Sequence, residues 1–171
     1  MSVHKIVVTG PFNSGKTAFI ETISDIPVVS TEKRITTEDR GIKAETTVAM
    51  DFGRVKIYET TLHLFGTPGQ TRFNFMWEIL SDEMDGFIVL VDSTDPLSFP
   101  EAAQLIEQFS GFLNVPYLVV SNKTDLEQSA RLDDVRRGTQ TGNTVTVMPC
   151  VATQKTSVRQ VLLQMIDLLD K

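Results

Sequence analysis

Lys16 and Thr17 close the run Gly10-Pro11-Phe12-Asn13-Ser14-Gly15-Lys16-Thr17. The run fits G-x-x-x-x-G-K-[S/T], whose chemistry is phosphate binding. Its glycines let the backbone wrap a phosphate, and the amides of Asn13, Ser14, Gly15, Lys16, Thr17 and Ala18 can turn toward it. The start of a helix adds partial positive charge. Lys16 is placed to reach the β- and γ-phosphates of a nucleotide, and the Thr17 hydroxyl to bind Mg²⁺. The bland reading is a glycine-containing turn with a solvated lysine. An apolar strand before the run and a helix after it favour the phosphate loop.

Asn122-Lys123-Thr124-Asp125 follows the apolar run Leu118-Val119-Val120-Ser121, about 105 residues further on. A carboxylate at Asp125 can accept hydrogen bonds from N1–H and the exocyclic amine of guanine. Adenine lacks that donor pair and would leave the carboxylate desolvated and unpaired, at a cost of a few kcal/mol. Asn122 can brace neighbouring loops, and the Lys123 stem can lie against the base. A third cluster, Phe65-Gly66-Thr67-Pro68-Gly69-Gln70, also follows a strand-like run. There the Gly69 amide can meet a γ-phosphate and Gln70 can orient a water for attack on it. Alone, this cluster is only a Pro-Gly turn beside a solvated glutamine.

The elements that must hold these residues alternate. Strands are expected at 4–9, 47–58, 61–65, 86–91, 115–121 and 145–148. Helices are expected at 15–24, 72–80, 97–109, 132–137 and 158–169, the last with apolar residues at helical spacing. The 47–58 and 61–65 strands form a hairpin about Glu59-Thr60. This alternation predicts an α/β fold with six strands, mostly parallel, one antiparallel strand at the edge, and helices on both faces. In such sheets ligands sit at the carboxyl ends of the strands, where all three clusters fall.

The 171 residues suit one domain, 1–171, and 41% of them are hydrophobic, enough for a sizeable core. A net charge of −6 argues against nonspecific binding to nucleic acid or to anionic membrane. A single cysteine, Cys150, rules out an intrachain disulfide and suggests a reducing, cytoplasmic setting. No signal peptide, membrane-spanning run or lipidation motif is visible, so no intrinsic membrane anchor is expected.

In order and spacing the three clusters resemble those of the Ras superfamily of small GTPases, along nearly the whole chain. The resemblance implies a P-loop GTPase fold, GTP and GDP as ligands, Mg²⁺, and slow hydrolysis of GTP to GDP and phosphate. It implies Lys16 and Gln70 as catalytic residues, and switch segments near 32–47 and 66–80 that bind protein partners in the GTP state. Thr46-Thr47-Val48-Ala49-Met50-Asp51-Phe52 resembles the end of the first switch and the second strand of Rab-like members. That makes Thr47 the magnesium-binding threonine, with Thr46 as the alternative. Cys150-Val151-Ala152-Thr153 stands where the family has S-A-K, so a backbone amide there, that of Ala152 beside Val151, is expected to meet the guanine oxygen.

The chain is more closely similar to prokaryotic Ras-like GTPases, including the gliding-motility polarity group, which implies an effector and a roadblock-type activating protein. Departures carry this. Gly66 replaces the usual aspartate that orients a magnesium-bound water, and Phe12 replaces the glycine past which a partner's arginine finger enters. A hairpin centred near residues 59–60 puts Asp51 opposite residues 66–68, so Asp51 is a candidate for the missing carboxylate; otherwise it is an exposed strand aspartate. Arg34 or Arg40 is a candidate internal finger. Phe73, Trp77 and Leu80 on one face of the 72–80 helix, with Phe75, Met76 and Ile79 on another, suggest a partner surface. The rival readings are a noncatalytic GTP-dependent interaction module and, against the evidence of Asn122 and Asp125, a P-loop ATPase or kinase.

Overall fold

The computed structural model describes residues 2–39, 42–67, 84–112 and 114–171, with the backbone alone for 30–39, 42–49 and 112. One sheet organises the chain. Its strands are β1 (Ser2–Thr9), β2 (Val29–Asp39), β3 (Ile42–Ile57), β4 (Thr60–Gly66), β5 (Gly86–Asp92), β6 (Tyr117–Asn122) and β7 (Val147–Cys150). The spatial order is β2-β3-β4-β1-β5-β6-β7. From β4 to β7 all neighbours are parallel, and β3 runs against both β2 and β4. The α-helices among the described residues are α1 (Lys16–Ile23), α2 (Phe99–Phe112), α3 (Leu132–Gly138) and α4 (Lys155–Leu169).

Alternation along the strands builds a core on each face, because successive side chains point to opposite sides. Ile6, Val8, Ile88, Leu90, Leu118 and Val120 pack with Phe19, Ile20 and Ile23 of α1 and with Val158, Val161, Leu162 and Met165 of α4. Their neighbours in the strands, Val7, Phe87, Val89, Val91 and Val119, pack with Phe99, Leu105, Ile106 and Phe109 of α2 and Val135 of α3. Strand β5 is buried along its whole length. A strand covered on both faces must be apolar throughout, which is why Gly86–Val91 carries no polar side chain.

The six strands read from the sequence are all present, and β2 adds a seventh. Of residues 32–47, expected as a switch segment, 32–39 and 42–47 lie in the paired strands β2 and β3, whose register runs from Val29 opposite Phe52 to Asp39 opposite Ile42. The antiparallel strand is therefore internal, not at the edge. The physical reason is twofold. Val29–Thr37 is rich in Val, Ile and Thr, and the free edge of β3 offers backbone groups that need partners. The second hairpin turns at Tyr58-Glu59, one residue earlier than expected, and sets Asp51 opposite Gly66.

Candidate functional site

The site lies at the carboxyl ends of β1, β4, β5, β6 and β7. Strand β1 ends at Thr9, and residues 10–15 form a loop that leads into α1. Gly15 has φ +102°, and a Cβ there would lie 2.3 Å from Asn122 Nδ2, so only glycine fits. Asn13 and Lys123 also adopt left-handed backbone, at φ 65° and 64°. The Lys16 ammonium folds over the loop and donates to the carbonyls of Gly10 (2.7 Å) and Pro11 (3.0 Å). Burial lowers its pKa to about 8, against the raising influence of Glu101 and Asp51. The Ser14 amide donates to Pro11 O (3.1 Å), so it is already engaged, while the buried Ser14 Oγ has no hydrogen-bond partner among the described residues.

Asn122 ties three loops together. Its Nδ2 donates to Ser14 O and its Oδ1 accepts from the Ala152 amide, both at 2.9 Å. Lys123 Nζ donates to Asp92 Oδ2 (2.7 Å) and to Asn13 O (3.2 Å). Burial raises the Asp92 pKa, but hydrogen bonds from Lys123 and Thr94 outweigh it and hold the carboxyl below its usual value. Asp125 is exposed, and no described residue hydrogen-bonds to its side chain. The phosphate loop and the Asn122–Asp125 segment are thus brought together, although some 105 residues separate them.

Thr17 Oγ1 donates to Asp51 Oδ2 across 2.9 Å. Thr67 Oγ1 donates to Thr9 Oγ1 (2.8 Å), which fastens the end of β4 to that of β1. Between these groups lies a cleft of about 550 Å³. Asn13, Gly15, Lys16, Thr17 and Ala18 line it from the loop, and Asp51, Gly66, Thr67, Asp92 and Lys123 from the strand ends. Phe12 also lines it, 72% exposed.

Some expectations need adjustment. The Val151 amide donates to Ser157 Oγ (2.8 Å) and the Ala152 amide to Asn122, so a base oxygen would have to share the Ala152 donor. Thr46, Thr47 and Arg34 are in strands β3 and β2, and their side chains lie outside the described residues. Gly69, Gln70, Arg40 and all of residues 72–80, where a helix is expected, with Phe73, Phe75, Met76, Trp77, Ile79 and Leu80, lie outside them too. Sequence analysis does not single out Asp92 as a site residue. Its signal is a lone charge closing the otherwise apolar strand Gly86–Asp92.

The residues present suit a nucleotide and a divalent cation. The cleft combines a phosphate-sized loop with a helix start, a lysine and a threonine hydroxyl whose proton is directed away to Asp51, leaving lone pairs for a cation. Among the described residues no three His, Cys, Asp or Glu side chains converge. Mg²⁺ takes few protein ligands and completes its shell with phosphate and water.

Comparison with known proteins bears on the nucleotide alone. A family model described as "Conserved hypothetical ATP binding protein" matches residues 27–170. An uncharacterized protein of Methanocaldococcus jannaschii is 33% identical over 122 residues, 71% of each chain. ADP-ribosylation factor-related protein 1 of Homo sapiens is 28% identical over 137 residues, 77% of this chain and 64% of that one. The mutual gliding-motility protein of Myxococcus xanthus is 24% identical over 147 residues, 78% of this chain and 73% of that one. The chain belongs to the matched family, and its homologues include the ADP-ribosylation factor-related and gliding-motility proteins. It carries the Gly10–Thr17 motif and the Asn122–Asp125 cluster and has glycine at 66. The family match begins after the phosphate loop, so residues 10–17 stand on their own motif and geometry. No helix among the described residues is long and apolar enough to cross a membrane.

Proposed function

We propose that the chain is a cytoplasmic guanine-nucleotide switch that binds GTP and GDP with Mg²⁺ and slowly hydrolyses GTP. The observation that carries the reading is the Asn122 brace. It holds the phosphate loop through Ser14 O and the 150–152 loop through the Ala152 amide, so one nucleotide can reach from the cleft at Lys16 to Asp125 outside it. In this reading Lys16 leaves its two carbonyls for the phosphates, where the loop amides also converge. Asp125, free of protein partners, reads the base edge. Magnesium, when bound, neutralises phosphate charge. Gln70 orients the attacking water, and the segments 32–47 and 66–80 present different surfaces to effector and activating proteins in the two states.

The matched family's description speaks of ATP, while two relatives are named as an ADP-ribosylation factor-related protein and a gliding-motility protein. Asp125 favours guanine on chemical grounds, because adenine would leave its carboxylate without a donor. A noncatalytic module is the second reading, favoured by Gly66 and by the exposed Phe12 beside the phosphate loop. Single-turnover GTP hydrolysis separates the two. The wild type should turn over on the order of 10⁻⁴ to 10⁻² s⁻¹, and Gln70→Leu should be roughly tenfold or more slower at nearly unchanged nucleotide affinity. A rate no higher than that of GTP in buffer would leave the noncatalytic module standing.

A further inference from the structure

Gly66 and Asp51 face one another directly in the β3–β4 pair, so their Cβ directions share one face of the sheet. A Cβ built at Gly66 would lie 3.4 Å from Asp51 Cβ and 2.9 Å from Ile20 Cδ1. A side chain at 66 would therefore crowd Asp51, and glycine leaves the shared space to it. Asp51 uses that space to meet Thr17, with Oδ2 accepting the hydroxyl proton at 2.9 Å. Its other oxygen, Oδ1, has no hydrogen-bond partner among the described residues. The cleft has two further described carboxylates, Asp92 and Asp95, and neither bonds to Thr17. Asp92 is committed to Lys123 and Thr94.

A threonine hydroxyl that gives its proton to a carboxylate turns its lone pairs elsewhere, toward a cation if one is present. The free carboxylate oxygen can accept from water in that cation's shell. Outer-sphere partners of this kind orient ligands and typically change metal affinity by roughly 10- to 100-fold. We infer that Asp51, reaching across from β3, is the carboxylate that orients Thr17 and the hydration water of Mg²⁺, and that Gly66 is glycine to make room for it. Asp51 acts through Thr17 and water, so it is a positioning residue. The inference rests on the proposed nucleotide site.

The test is retention of a fluorescent GDP across a magnesium titration buffered with EDTA at constant ionic strength. Asp51→Asn keeps the shape and loses the charge. It should raise the magnesium concentration for half-maximal retention by about tenfold, with retention in saturating magnesium and thermal stability near wild type. Asp51→Ala should do the same, and Gly66→Asp added to Asp51→Ala should return the midpoint toward wild type, because the carboxylate is restored from the facing position. Asp92→Ala, at another strand end, should weaken GDP binding while leaving the magnesium midpoint in place. If Asp51→Asn retains GDP with an unshifted midpoint, Asp51 is only a hydrogen-bond partner of Thr17 and the inference is wrong. If the wild type retains no GDP at any magnesium concentration, the nucleotide reading itself has failed.

Discussion

Lys16 shows how burial sets a residue's working range. Desolvation lowers its pKa to about 8 before any phosphate arrives, despite the opposing fields of Glu101 and Asp51. A phosphate favours the charged form, so nucleotide binding above pH 8 must take up a proton. GDP affinity should be flat from pH 7 to 8 and then fall, by up to about tenfold per pH unit. Calorimetry in buffers of different ionisation enthalpy checks this, with proton uptake at pH 8.5 and almost none at pH 7. Lys16→Arg, which cannot lose its charge in this range, should abolish the uptake. The sign for folding runs the other way. With the folded pKa lowered, the unfolded chain holds more protons between about 8 and 10.5. This group therefore makes the nucleotide-free protein more stable as pH rises through that window.

At the level of elements, Asn122 is the joint between the two halves of the site. It is buried, closes β6, and bonds to both the loop before α1 and the loop before α4. Asn122→Ala removes two hydrogen bonds and leaves the Ser14 carbonyl and the Ala152 amide without that partner. The expected loss is roughly 2–4 kcal/mol of folding stability, read as a lower urea midpoint. Nucleotide affinity should fall as well, because the phosphate loop and the base loop lose their common anchor. An unchanged midpoint would mean that water replaces the side chain at no cost. The β2–β3 hairpin belongs to this scale too. It shows that residues 32–39 are long and β-branched enough to extend the sheet beyond β3.

For the whole molecule, a ligand that binds only the folded state raises stability by about 2.7 kcal/mol at a concentration 100 times its Kd. For a chain of this size that is a rise in Tm of about 5–10 °C. GDP with magnesium should produce it, and ADP at the same concentration should not. Asp125→Asn should diminish the response to GDP and create one to XDP, since an amide can donate where the carboxylate only accepted. Equal responses to ADP and GDP in the wild type would favour the ATP of the family's description over the guanine reading.

Local signals sufficed for much of this protein. The glycine spacing of residues 10–17 already points to a tight loop between a strand and a helix, and that loop is present. The unbroken apolar run of residues 86–91 forces a central strand. Even the approach of Asp51 to position 66 was legible, because hairpin register follows from where the turn falls, and a one-residue error in the turn moved the pairing only to Gly66 itself. Tertiary structure decided what depends on partners distant in the chain. That residues 29–39 form a strand depends on β3 offering a free edge, which no local pattern displays. That Lys123 is held by Asp92, and that the Ala152 amide is spent on Asn122, depend on β5, β6 and β7 lying side by side with their ends level. Hydrogen bonds reach about 3 Å, so which of many polar groups at those strand ends pair is settled only once the sheet has brought them within reach.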